Sequence, residues 1–248
     1  MNYFLYLGKN LPEHVKGMGL FTLQHGFIAM VLWLLGRFVV KAYLSSRNKE
    51  RFRKVLAWSI FASILPRHLT LLLTGQYTPA ALPFHLCSLG IIVLVVDAHW
   101  ENAVTKEISF MLTLVGAALA LVFPDWADQP LWSLLTLQSF LFHALLVYYI
   151  WMRYRAREII PRLRNIWMPA AFLGAVLPFI FMINERLGTN FFFLNAGAPG
   201  SPLELLQEAV GILYVPVLMA VVAVAWLTMY GSLQLPLNDR RINKRLKE

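Results

Sequence analysis

Seven long apolar runs, at 18–44, 53–74, 80–98, 104–123, 131–152, 166–187 and 208–230, limit what this chain can fold into more than anything else in it. Each is close to the ~20 residues that a helix needs to cross about 30 Å of hydrocarbon. They are continuously apolar, whereas the strands of a membrane barrel alternate. The expectation is an all-α polytopic membrane protein with seven transmembrane helices. Composition agrees, since only 14% of the residues are charged and a soluble domain carries about a quarter. No internal repeat or low-complexity segment interrupts the pattern.

The net charge of +9 is placed as a membrane protein places it, not as a nucleic-acid binder would. With seven crossings, 17 basic residues fall on one side, including Lys41, Arg53, Arg153 and Arg240, and Lys9, Lys16 and Arg186 fall on the other. The positive-inside bias then puts the N-terminus outside and the C-terminus in the cytoplasm of a multi-pass cell-membrane protein. Residues 1–17 lack a basic n-region and a small-residue cleavage site, so they read as an interfacial segment and not a signal peptide. Residues 18–231 form the transmembrane domain, and 232–248 a basic cytoplasmic tail.

Ionisable groups inside a membrane are functional-site hypotheses by default. At ~1.5 Å of rise per residue, His25, Arg67, His68, His85 and Cys87 lie in the outer part of the bilayer, and His143 near its centre. The inner halves of the runs carry almost nothing comparable, which suggests a cationic pocket opening outward. Such a pocket suits a phosphate, a carboxylate or an oxyanion formed during acyl transfer. The loop "GTNFFFLNAGAPGSPLELLQ" at 188–207 either folds back over this pocket or anchors in the headgroups. Asn190 within it is taken as a substrate-binding residue.

Cys87, the single cysteine, can form no internal disulfide. A buried cysteine is usually a small hydrophobe, and reactivity needs a neighbouring base or cation. His85 is close in sequence but points elsewhere on a regular helix, so His143 on another helix is the better base. No histidine pair has the helical i, i+4 spacing of a zinc motif. Neither a metal nor another cofactor is expected.

"LPFHLC" opening the third run, "GAALALVFPD" closing the fourth and "FLFHALLV" in the fifth occur in the order seen in the YwaF-like family of bacterial integral membrane proteins, which this chain resembles over nearly its whole length. His25 in "LQHGF" matches that family's first-helix histidine, and "GTNFFFL" resembles its Asn-Tyr-Met-Phe-Leu stretch. The family's eukaryotic branch includes a polytopic phospholipid acyltransferase with a membrane cysteine. More distant relatives hydrolyse fatty-acid esters of hydroxy fatty acids. The resemblance implies Cys87 as nucleophile, His143 as base, and a membrane phospholipid or lysolipid as substrate. The expected function is lipid acyl transfer or lipid-ester hydrolysis, with Arg67, His68, His25 and His85 holding the substrate. The alternative is a transporter or binding subunit for a small anion.

Overall fold

A computed structural model describes residues 3–5 and 15–234, so the interfacial segment expected at 1–17 and the basic tail at 232–248 fall almost wholly outside them. The helical spans are α1 (Leu23–Ser45), α2 (Lys49–Leu73), α3 (Pro79–His99), α4 (Ala103–Val122), α5 (Leu134–Arg155), α6 (Leu163–Leu187) and α7 (Pro202–Ser232), each long and apolar enough to cross a membrane. No strand occurs among the described residues. Large apolar side chains also cover the outside of the bundle: Leu23, Phe38, Leu73 and Ile212 are more than two-thirds exposed. Water would not tolerate so wide an apolar surface, and lipid would. The chain is a polytopic membrane protein.

Local chemistry sets the helix ends. Thr22, Asn48, Asn102 and Ser133 cap α1, α2, α4 and α5 by accepting the N–H groups of His25, Arg51, Thr105 and Thr136. These bonds satisfy donors that a helix start leaves free. Gly188 ends α6 in a left-handed conformation, at φ 61°, which a glycine adopts without a Cβ clash.

Three spans are broken or delayed at proline or glycine positions. α2 divides into Lys49–Ala62 and Leu65–Leu73 because Pro66 has no N–H to offer the carbonyl four residues back. Gln138 of α5 donates to the Ser63 carbonyl at this break, at 3.1 Å. α3 is regular only over Leu86–His99, with His85 as its N-cap, since Pro83 stops the helix from starting earlier. Cys87 therefore lies in the first turn, not about two turns down a helix begun at 80. α7 starts at Pro202, six residues before the expected 208, because Ser201 caps it and Pro202 suits its first position. It then breaks at Gly211, at φ 54°.

α4 and α5 form the centre, with half of each span buried against 17–28% for the others. Within α4, Ser109–Leu114 is a π-helical turn. Its wider hydrogen bonding leaves a carbonyl in need of a donor, and the Trp226 indole N–H of α7 reaches the Met111 carbonyl at 3.0 Å. α1 approaches α5 closely because Gly36 lies under the Tyr148 ring, where a Cβ would come within 2.6 Å of the ring edge.

The end of the bundle opposite His25 corrects one expectation. Polar groups are not confined to the His25 end. Arg153, fully buried, pairs with Asp97, with Glu101 at 2.7 Å and with Glu158 at 3.1 Å. Arg53 pairs with Glu101 and Glu158, and Lys106 with Glu101 at 2.9 Å. Tyr43 donates to Glu158 at 2.6 Å, and Thr105 to Asp97 at 2.9 Å. Three cations and three carboxylates thus neutralise one another and tie α1, α2, α3, α4 and α5 together. Charges this deep persist only when paired and hydrogen-bonded. Arg53, Lys106 and Arg153 are therefore structural partners as well as flanking charges.

Candidate functional site

At the His25 end, the break in α2, the start of α3, the middle of α5 and the loops at 124–133 and 189–196 meet. The segment of α2 after the break, Leu65–Leu73, carries Arg67 and His68, both partly buried. Arg67 makes no hydrogen bond or ion pair among the described residues, yet its charge acts on His68, His85, His143 and Asp125. The charge of His85 also acts on His143. Arg67, His85 and His143, which come from three spans, are thereby one electrostatic group.

His143 is held in a defined state. Its Nδ1 contacts the Ser139 carbonyl at 2.7 Å. A carbonyl can only accept, so Nδ1 carries the proton and the neutral ring presents the lone pair of Nε2. Nε2 has no hydrogen-bond partner among the described residues. The ring stacks on Trp126, with centroids 4.9 Å apart and planes 21° from parallel. The Trp126 indole N–H is buried without an acceptor among the described residues. Asp125 precedes Trp126 in the 124–133 loop. Loss of hydration among the surrounding protein pushes its carboxyl above the ordinary 3.8, and Arg67 pulls it back.

His85 lies beneath aromatic cover. Phe191 meets its ring edge-on at 5.0 Å, and Phe193 packs against it at 5.6 Å. The cover is strained: Phe192 and Phe193 have φ of 61° and 54°, costing on the order of 1–3 kcal/mol each. Asn184, buried at the end of α6, offsets this by accepting from Thr189 Oγ1 and the Phe191 N–H and by donating to the Phe191 carbonyl. Tyr214 of α7 donates to the Phe193 carbonyl at 2.9 Å. The loop at 188–207 thus folds back over the bundle.

Cys87 is buried, with its Sγ 3.8 Å from the place that a Cβ on Gly116 of α4 would occupy. No hydrogen bond joins it to His143 or to any other described residue, so the thiol and imidazole are not paired in this conformation. Its helix start is nevertheless next to His85 and opposite α4, which packs along α5.

The remaining candidates are engaged elsewhere. His25 accepts the Phe21 N–H at Nδ1 and donates from Nε2 to the Leu121 carbonyl at 2.9 Å, so both nitrogens link α1 to the end of α4. Asn190 accepts from the Asn195 and Ala196 N–H groups and donates to the Ala196 carbonyl, which shapes the loop. His68 shares a 3.2 Å hydrogen bond with Tyr77. Sequence reasoning overlooked Trp126, Asp125 and Gln138.

A seven-span membrane protein with a histidine–arginine cluster under an aromatic cover is the class that these features define. The TMEM164 family matches residues 17–230, and the chain belongs to that polytopic membrane family. No curated protein matches the chain, and no solved structure does.

Proposed function

We propose that this protein transfers acyl groups between membrane lipids through Cys87, with His143 as the base. The observation that carries this reading is the His143 tautomer: Nδ1–H is held by the Ser139 carbonyl, which leaves Nε2 as a free proton acceptor. The YwaF-like resemblance and its acyltransferase branch support it. Free-enzyme hydrogen bonds are often loose and tighten when substrate binds, so pairing of Cys87 with His143 is assigned to the lipid-bound state.

In the first half-reaction, His143 Nε2 takes the thiol proton and Sγ attacks the ester carbonyl of the donor lipid. The tetrahedral oxyanion is held by Arg67 and the free N–H groups at the start of the Leu86–His99 helix. Its collapse breaks the ester C–O bond, and the leaving lysolipid alkoxide takes the proton from His143. In the second half-reaction, His143 takes the proton of an acceptor lysolipid hydroxyl. The resulting oxygen attacks the thioester, and the thiolate leaves and is reprotonated. The Phe191–Phe193 cover keeps water from acting as the acceptor. His25 and Asn190, whose polar atoms are engaged, act by shaping the site. The excess of basic residues on one side supports an N-terminus facing out from the cell membrane.

A second reading, a binding or transport subunit for a small anion, is favoured by the missing hydrogen bond to Cys87 and uses Arg67 and His85 in the same way. Purified wild type, Cys87→Ser and His143→Gln, reconstituted with a lipid bearing a labelled acyl chain and an unlabelled lysolipid, separate the two. Acyl transfer predicts label movement in wild type only. Equal label movement in the serine variant, or none in wild type with intact anion binding, contradicts it.

A further inference from the structure

At the Arg153 end, a cavity of about 520 Å³ opens between the turn after α3, the 156–166 connection and the start of α6. That volume lies within the range of small-molecule sites. Its two carboxylates are committed within the protein. Glu107 accepts from the Arg162 N–H at 3.0 Å, Asn165 Nδ2 at 2.8 Å and Tyr230 at 2.8 Å. Glu158 accepts from Tyr43, Arg53 and Arg153. Lys106 is held by Glu101. Arg162 and Arg164 also line the cavity, and their guanidiniums have no hydrogen bond or ion pair among the described residues. The uncommitted charge facing the cavity is therefore positive, although the cavity contains two acids.

The apolar surroundings narrow the ligand. Ile160, which lines the cavity, and Leu163 and Trp167, adjacent in sequence to the lining residues Arg162, Arg164 and Met168, are at least 40% exposed, and Trp167 opens the apolar helix Trp167–Leu187. An aromatic ring beside free guanidiniums at the end of a membrane span is the arrangement found at headgroup level. A free anion would use the guanidiniums and ignore the apolar flank, whereas a phospholipid would use both. We propose that this cavity binds the phosphate of an anionic phospholipid, with Arg162 and Arg164 as its ligands and the acyl chains lying along α6. The site lies at the opposite end of the bundle from Cys87 and does not depend on the chemistry proposed there.

The full chain, purified in detergent, is melted during titration with phosphatidylglycerol, phosphatidylcholine or inorganic phosphate, and lipid retention is read by native mass spectrometry. Phosphatidylglycerol should raise the melting temperature and be retained. Arg162→Gln/Arg164→Gln should weaken this response about tenfold or more, because each basic side chain contributes appreciably to an anionic headgroup site. Arg47→Gln/Arg51→Gln, which removes the same charge from exposed positions at the same end, should leave it unchanged. An equal response to phosphatidylcholine overturns the proposal, as does equal weakening in the control variant. Inorganic phosphate reproducing the shift at the same concentration makes a free anion the ligand and overturns the lipid assignment.

Discussion

Replacing Asn184 by alanine tests how the aromatic cover is held over His85. The Asn184 amide makes three hydrogen bonds to the cover, two with the Phe191 backbone and one with Thr189. Phe191 is fully buried, so its N–H and carbonyl find no water when these partners go. At about 1 kcal/mol net per hydrogen bond, the loss is roughly 3 kcal/mol. The left-handed conformations of Phe192 and Phe193 act in the same direction, because strain held by those bonds is released as the loop opens. At 1.4 kcal/mol per factor of ten, opening of the loop becomes about a hundredfold more frequent. Hydrogen exchange followed by mass spectrometry should show that acceleration in peptides spanning 189–196, with peptides from α4 and α5 unchanged. Exchange at 189–196 within twofold of wild type would refute the assignment of Asn184 as the anchor of the cover.

The opposite end yields three further predictions. Arg153→Met leaves Asp97 buried without its cation and should lower stability by about 3–5 kcal/mol, with part recovered in the double variant with Asp97→Asn; thermal melts in detergent check this, and a single variant as stable as wild type contradicts it. Burial pushes the Glu158 carboxyl up, but hydrogen bonds from Tyr43, Arg153 and Arg53 outweigh burial and leave it below the ordinary 4.5. A depressed carboxyl stabilises the fold above that value and loses its contribution as pH falls through the lower folded value. Melting temperature should therefore fall on acidification below about pH 4.5, more steeply in wild type than in Glu158→Gln, and parallel curves would contradict the sign. Trp226→Phe removes the donor to the π-helical turn and should cost about 1 kcal/mol, seen as a small drop in melting temperature; no change would mean that the Met111 carbonyl is otherwise satisfied.

The seven spans were legible because a bilayer demands an apolar stretch of fixed length, and each run supplied one. The breaks were less so. Pro66 and Pro83 signal them in sequence, but where a chain bends also depends on partners such as Gln138, 75 residues away from Ser63. The histidines show the limit best. His25 and His143 look alike as single rings in apolar runs, yet the Leu121 carbonyl, 96 residues distant, occupies one and leaves the other its lone pair. Arg153 was read only as a flanking charge for a related reason: a lone charge near the end of a run looks the same whether it snorkels to water or pairs inside, as Arg153 does with Asp97. The regular helix that carries Cys87 starts at Leu86, six residues after the expected 80, because the proline before it delays the helix.

The account depends most on a covalent acyl intermediate at Cys87. The measurement that bears on it directly is peptide mass spectrometry of the reconstituted protein after brief exposure to a phospholipid donor without acceptor. The mass of one acyl chain, released by hydroxylamine, should appear on the peptide containing Cys87, accumulate more slowly in His143→Gln, and vanish when lysolipid is added. An unmodified Cys87 peptide in protein that is meanwhile transferring acyl groups would contradict it.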